Sequence, residues 1–168
     1  LRTRGERPDV PAPDRPWHEI VPGLWMGGHE YRRSAGRLEL AVVRDEFDLV
    51  QTLLRLPGHG PDAGVEHQVW PIPDGPLDGT QLAGVIRLAD AAVDAVDRGR
   101  RVLVRCFHGY NRSGLVVAHA LMRRGVGAEE AIRLVRARRS PWALHNELFE
   151  AYLRTGPATA RLLEELAE

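Results

Sequence analysis

Apolar residues recur along the chain with two different periods. Val102, Leu103 and Val104 form a short run that ends at Arg105 and Cys106, the pattern of a strand buried on both faces. A helical pattern starts just beyond Arg112-Ser113-Gly114, with Leu115, Val116, Val117, Ala118, Ala120, Leu121 and Met122. The unit reads as strand, tight loop, helix. Nearer the start, Ile20–Gly28 reads as two short strands around the Pro22-Gly23 turn. Tyr31–Asp45 is expected to be a helix, with Leu38, Leu40, Ala41, Val42 and Val43 as its apolar side. Phe47–Leu54 and Val65–Ile72 read as strands, and residues 57–64 between them as a loop in which His59 is solvated. Thr80–Arg98 predicts a helix capped by Thr80 and ended by Gly99, with Leu82, Val85, Ile86, Ala89, Val93 and Val96 at helical spacing. Ala128–Arg139 predicts another. Its Ala131, Ile132, Leu134 and Val135 face inward, its Arg133, Arg136, Arg138 and Arg139 outward, and Ser140-Pro141 stops it. Residues 142–153 lead into a final helix, and 157–168 read as a short amphipathic tail helix.

Strands alternating with helices predict an α/β fold: a central, mostly parallel twisted sheet of about four to five strands, with helices on both faces. The 168 residues suit one domain, placed at 17–168. Residues 1–16 are rich in Arg, Pro, Asp and Gly and have little to bury. They are expected to form a disordered or loosely docked arm. Net charge is zero, and all 23 basic side chains are arginine. This argues against a polybasic field for nucleic acid or membrane. One cysteine leaves no internal disulfide and no C-x-x-C metal or redox site. No apolar run approaches membrane-spanning length, so a monomer in a reducing cytoplasm is the expectation.

The chemistry gathers in Cys106-Phe-His-Gly-Tyr-Asn-Arg-Ser113. A loop between strand and helix can turn its backbone N–H groups inward, and the helix N-terminus adds positive potential. Such a cradle suits a tetrahedral dianion, and a thiol at its base ionises readily. A planar guanidinium grips two oxygens at once, which lysine cannot imitate. A second loop, Pro71-Ile-Pro-Asp-Gly-Pro76, follows the 65–72 strand and offers the carboxylate of Asp74.

Cys106, five residues, Arg112 and Ser113 resemble the C-x5-R-[ST] loop of the cysteine-dependent protein tyrosine and dual-specificity phosphatases. The resemblance covers about residues 17–155 and implies a phosphotyrosine phosphatase-like fold. It implies Cys106 as nucleophile, Arg112 as phosphate clamp and Ser113 as donor to the departing sulfur. Asp74, 32 residues before Cys106, has the separation of the family's general acid, with Asp78 in reserve. Phe107, His108, Gly109, Tyr110 and Asn111 would line the phosphate site, and Asn146 matches an asparagine that braces the loop. The implied substrate is a phosphorylated protein or peptide, carrying phosphotyrosine or also phosphoserine and phosphothreonine. No cofactor or metal is implied. One departure stands out: the family usually has histidine where this chain has Arg105. The interior His108-Gly-Tyr-Asn-Arg-Ser-Gly114 also resembles cysteine-dependent RNA 5′-triphosphatases, which makes RNA or another non-protein phosphate ester the alternative substrate. A catalytically silent phosphate-binding module and a rhodanese-like sulfurtransferase are further classes, disfavoured by the intact Cys106, Arg112 and Asp74 and by the Arg-Ser-Gly exit.

Overall fold

The carboxyl edge of a five-stranded sheet carries the Cys106 loop. The computed structural model describes residues 10–34 and 36–167, with side chains of the last helix described through Pro157 and at Leu166. Strands β1 (Trp17–Val21), β2 (Leu24–Gly27), β5 (Leu49–Thr52), β6 (Glu66–Val69) and β7 (Val102–Arg105) form that sheet in the order β1-β2-β7-β5-β6. β1 pairs antiparallel with β2, and every other pair is parallel. β7 lies at the centre, and all four of its residues are buried, which explains its continuous apolar run.

Alternation along β7 separates the two faces. Val102 and Val104 pack with helices α1 (Gly79–Asp97), α2 (Arg112–Arg123), α3 (Ala128–Arg138) and α4 (Glu147–Ala167) in the main core. Leu103 packs on the other face with Val43, Phe47 and Val50, residues of strands and loops, so the core helices cover one face of the sheet and not both as expected. α2 is the central helix, buried from Arg112 through Leu121. The helix expected from Thr80 is observed as α1, but its N-cap is Asp78 rather than Thr80. The Asp78 carboxylate accepts from the Gln81 backbone N–H at 2.7 Å, and the Gln81 side chain returns the bond to the Asp78 N–H. The final helix is continuous from Glu147 to Ala167 with Pro157 inside it, not two segments. The amphipathic character expected of 157–168 falls largely on side chains outside the described set.

The helix expected over Tyr31–Asp45 is absent. That stretch holds a two-stranded ribbon, β3 (Glu30–Arg32) against β4 (Leu38–Leu40). Its apolar run follows a period of two. Ala41 and Val43 are buried, whereas Leu40 and Val42 are more than half exposed. No helical stripe could bury five neighbours of a six-residue run; β4 itself is exposed along its length, and the alternation falls on the three residues just after it. Ahead of β1, residues 10–16 make backbone contacts with the domain. Arg32 N–H donates to Pro13 O at 2.7 Å and Gly28 N–H to Pro16 O at 3.2 Å.

Candidate active site

β7 delivers Cys106 to the sheet edge, and five residues later α2 begins at Arg112. The loop is held from outside by its carbonyls. Phe107 O accepts from His29 N–H at 2.7 Å, and Tyr110 O from Leu144 N–H at 3.0 Å. Arg139 donates to His108 O at 2.6 Å and to Gly109 O at 3.1 Å. In a planar trans peptide the next N–H points opposite to the carbonyl. Four consecutive carbonyls turned outward therefore turn the N–H groups of 108–111 toward the loop's interior, as a cradle for an anion requires. Two glycines allow this close packing. A Cβ on Gly28 would strike Phe107 O, and Gly109 adopts φ +75° with no room for a Cβ beside Gly27 O.

Inside this frame Cys106 Sγ lies 3.3 Å from Ser113 Oγ. Both residues are buried, Cys106 at 3% exposure. Arg112 is 1% exposed, and its Nη1 reaches Ile72 O at 3.4 Å, tying the loop to the segment that carries Asp74. Asp74 is itself buried. Its Oδ2 accepts from Asn111 Nδ2 at 2.9 Å and its Oδ1 from Asn146 Nδ2 at 2.7 Å. Asn111 Oδ1 in turn accepts from Asn146 N–H at 2.9 Å, and Asn146 Oδ1 caps α4 at Leu148 N–H. Asn146 thus both braces the loop and starts the last helix.

The structure brings Cys106, Arg112, Ser113, Asp74, Asn111 and Asn146 together. Phe107 and His108 stand half-buried at the rim with rings 4.8 Å apart. Tyr110 is buried and its hydroxyl points away from the anion cradle, donating to Pro11 O at 2.8 Å. Asp78 is exposed and its carboxylate caps α1 at the Gln81 N–H.

Arg139 was expected outward and is buried at 4% exposure. Burial pulls its pKa down to about 10, so it remains a cation. Its Nη1 also donates to Arg15 O at 2.9 Å and contacts His18 Nδ1. Burial and the Arg139 charge hold His18 down at about 4. The signal lay in the helical period, since one turn beyond inward-facing Val135 falls on 139. Arg105 occupies the face of the sheet opposite Val104. It is 1% exposed and bonded to Thr52 Oγ1 and His59 O. His59, expected in solvent, is half-buried beside it.

The chain belongs to the dual specificity phosphatase catalytic domain family, matched over residues 66–155, more than half its length. It is an enzyme of that class, a phosphoric monoester hydrolase. Human DUSP28 superposes with a TM-score of 0.71 and 25% identity, covering 90% of this chain and 99% of its own. A mouse dual specificity phosphatase complexed with zinc tungstate gives 0.68 and 26%, covering 95% and 96%. Tk-PTP in its active form gives 0.59 and 26%, covering 83% and 96%. No curated protein sequence matches the chain. Among the described residues no helix is long and apolar enough to cross a membrane.

Proposed function

We propose that the protein hydrolyses phosphotyrosine-type monoesters on proteins through a phosphocysteine intermediate. The observation that carries this reading is the 3.3 Å contact between Cys106 Sγ and Ser113 Oγ at the start of α2, ringed by outward-turned carbonyls. The Cys106 thiolate attacks phosphorus as the bond to the ester oxygen breaks. Arg112 and the loop N–H groups neutralise the charge on the equatorial oxygens. The ester oxygen leaves with a proton from Asp74. Water then attacks phosphorus with Asp74 as base, the S–P bond breaks, and the Ser113 hydroxyl donates to the sulfur that leaves.

Cys106 is nearly buried, so an aryl phosphate, which holds its phosphorus at the end of a rigid ring, suits the site better than a short seryl ester. Asp74 has both oxygens engaged by Asn111 and Asn146. Delivering a proton requires its Pro- and Gly-flanked loop to release one of them and swing over the substrate. The complexed tungstate of the mouse relative, a tetrahedral oxyanion, supports an anion cradle of this kind. Rapid acid quench of the enzyme with a phosphotyrosine peptide tests the reading. A phosphate-labelled protein that is stable to acid and lost in Cys106→Ser is expected. Steady turnover with no labelled protein, or label retained in the variant, refutes the intermediate.

A further inference from the structure

Residues 10–16 lie against the outer side of the catalytic loop, and their carbonyls accept from the domain along the whole segment. The Tyr110 hydroxyl donates to Pro11 O at 2.8 Å and Arg139 Nη1 to Arg15 O at 2.9 Å. Arg32 N–H donates to Pro13 O at 2.7 Å and Gly28 N–H to Pro16 O at 3.2 Å. A carbonyl has no proton to give, so each of these directions is fixed.

The donors lead straight to the catalytic loop. Tyr110 is a loop residue, buried at 3% exposure. Arg139 reaches Arg15 O with the same guanidinium that holds His108 O and Gly109 O. Gly27 and Gly28 form a layer one residue thick between arm and loop. On the arm side, a Cβ at Gly27 would meet Pro16 O at 2.6 Å. On the loop side, a Cβ at Gly28 would strike Phe107 O, and Gly109 packs on Gly27 O.

The composition of the arm suits this docking. Pro11, Pro13 and Pro16 fix φ and carry no N–H, so the segment presents acceptors and gives up little freedom when it settles. Pro13 is buried in the contact, whereas Pro11 and Asp14 are exposed.

From these contacts we infer that residues 10–16 are a positioning element of the active site. Docked, the arm fixes Tyr110 and Arg139, and through them keeps the N–H groups of 108–111 turned toward the anion. Displaced, it leaves Tyr110 without its acceptor and the Arg139 fork with one anchor fewer, and the loop's hold on an oxyanion weakens. The arm touches no reacting atom and acts through the loop.

The test uses the full chain, with vanadate as the probe, in calorimetry well below the unfolding temperature and beside kcat/KM for an aryl phosphate. A role in stability alone would lower Tm and leave vanadate affinity in place. Tyr110→Phe, which removes only the hydroxyl, is expected to weaken vanadate about five-fold, the weight of one neutral hydrogen bond. Pro13→Asp puts a carboxylate into the seat of the arm and is expected to cost at least as much, with kcat/KM falling alongside. Once the arm is displaced, Tyr110→Phe should cost less than about two-fold, within the error of additivity, because only the hydroxyl's contact with Ser140 is left to lose. If Pro13→Asp does not fold, Pro11→Gly/Pro13→Gly/Pro16→Gly takes its place, keeping every carbonyl while removing the stiffness and the buried ring. Unchanged vanadate affinity in the arm variant overturns the inference. So does a Tyr110→Phe loss that is the same with the arm displaced as with it docked. The inference rests on the loop being the oxyanion site, and a parent chain that binds no vanadate overturns that reading first.

Discussion

Asn146 donates its side-chain amide to Asp74 Oδ1 at 2.7 Å, across 72 residues of sequence. Asn111 holds the other oxygen, so the candidate acid is latched to both the phosphate loop and the cap of α4. Opening this latch is part of the proposed proton transfer. Asp74→Asn is therefore expected to lower kcat by about 10²-fold to 10⁴-fold with alkyl esters, the usual range for a lost general acid. The loss is smaller with aryl esters whose leaving groups need little protonation. Measuring kcat against leaving-group pKa checks this, and a parallel loss at all leaving groups removes Asp74 from the acid role.

Cys106→Ser is expected to abolish turnover while vanadate or tungstate still binds, because Arg112 and the loop N–H groups remain in place. Calorimetry with the oxyanion alongside an activity assay separates these two properties. Residual turnover within about ten-fold of the parent, a barrier change of only about 1.4 kcal/mol, contradicts the nucleophile.

Arg139→Met leaves His108 O and Gly109 O without their donors. A buried acceptor stripped of its partner costs about 1–3 kcal/mol, so urea unfolding should show a loss of that order or somewhat more. kcat/KM should fall with it, because the N–H cradle is no longer held open. Lysine at 139 is expected to rescue little, since one ammonium lacks the fork that reaches both carbonyls. Wild-type stability and kinetics in Arg139→Met rule out the clamp.

Acid should destabilise the fold between about pH 6.5 and 4. His29 in the folded state protonates only near 4, owing to burial and then the Arg105 charge, while the unfolded chain takes the proton near 6.5. Between those values the unfolded state binds more protons, so unfolding free energy rises with pH and is lost on acidification. One such group contributes a slope of about 1.4 kcal/mol per pH unit at most. His18 adds to it in the same direction. In His29→Gln, which keeps a donor for Leu54 O, the slope across this window should be shallower. Denaturant titrations at several pH values give the comparison, and equal slopes count against a buried neutral His29.

Much of the architecture could be read from local pattern. β7, the loop and α2 are contiguous, and their burial, turn and helix start are encoded in neighbouring residues. The α1 and α3 helices were legible for the same reason, through their 3.6-residue stripes. The ribbon over 30–40 was misread because five apolar residues clustered within six carry no clear period of their own. Only the packing of Ala41 and Val43 inward and Leu40 and Val42 outward distinguishes them. Arg139 was misplaced because charge suggested solvent, whereas four backbone and ring acceptors converge on it from elsewhere in the chain.

By itself the sequence determined which groups the candidate site is built from: one thiol, an arginine six positions on, a serine after it, and a carboxylate in a Pro-Gly loop. These are covalent spacings, which folding cannot change. The tertiary structure alone decided how they are held. The outward carbonyls, the latch on Asp74 and the bonds from Arg105 to Thr52 and His59 are contacts between segments tens of residues apart. Such contacts come from packing of whole elements, and a linear pattern contains no distance between them.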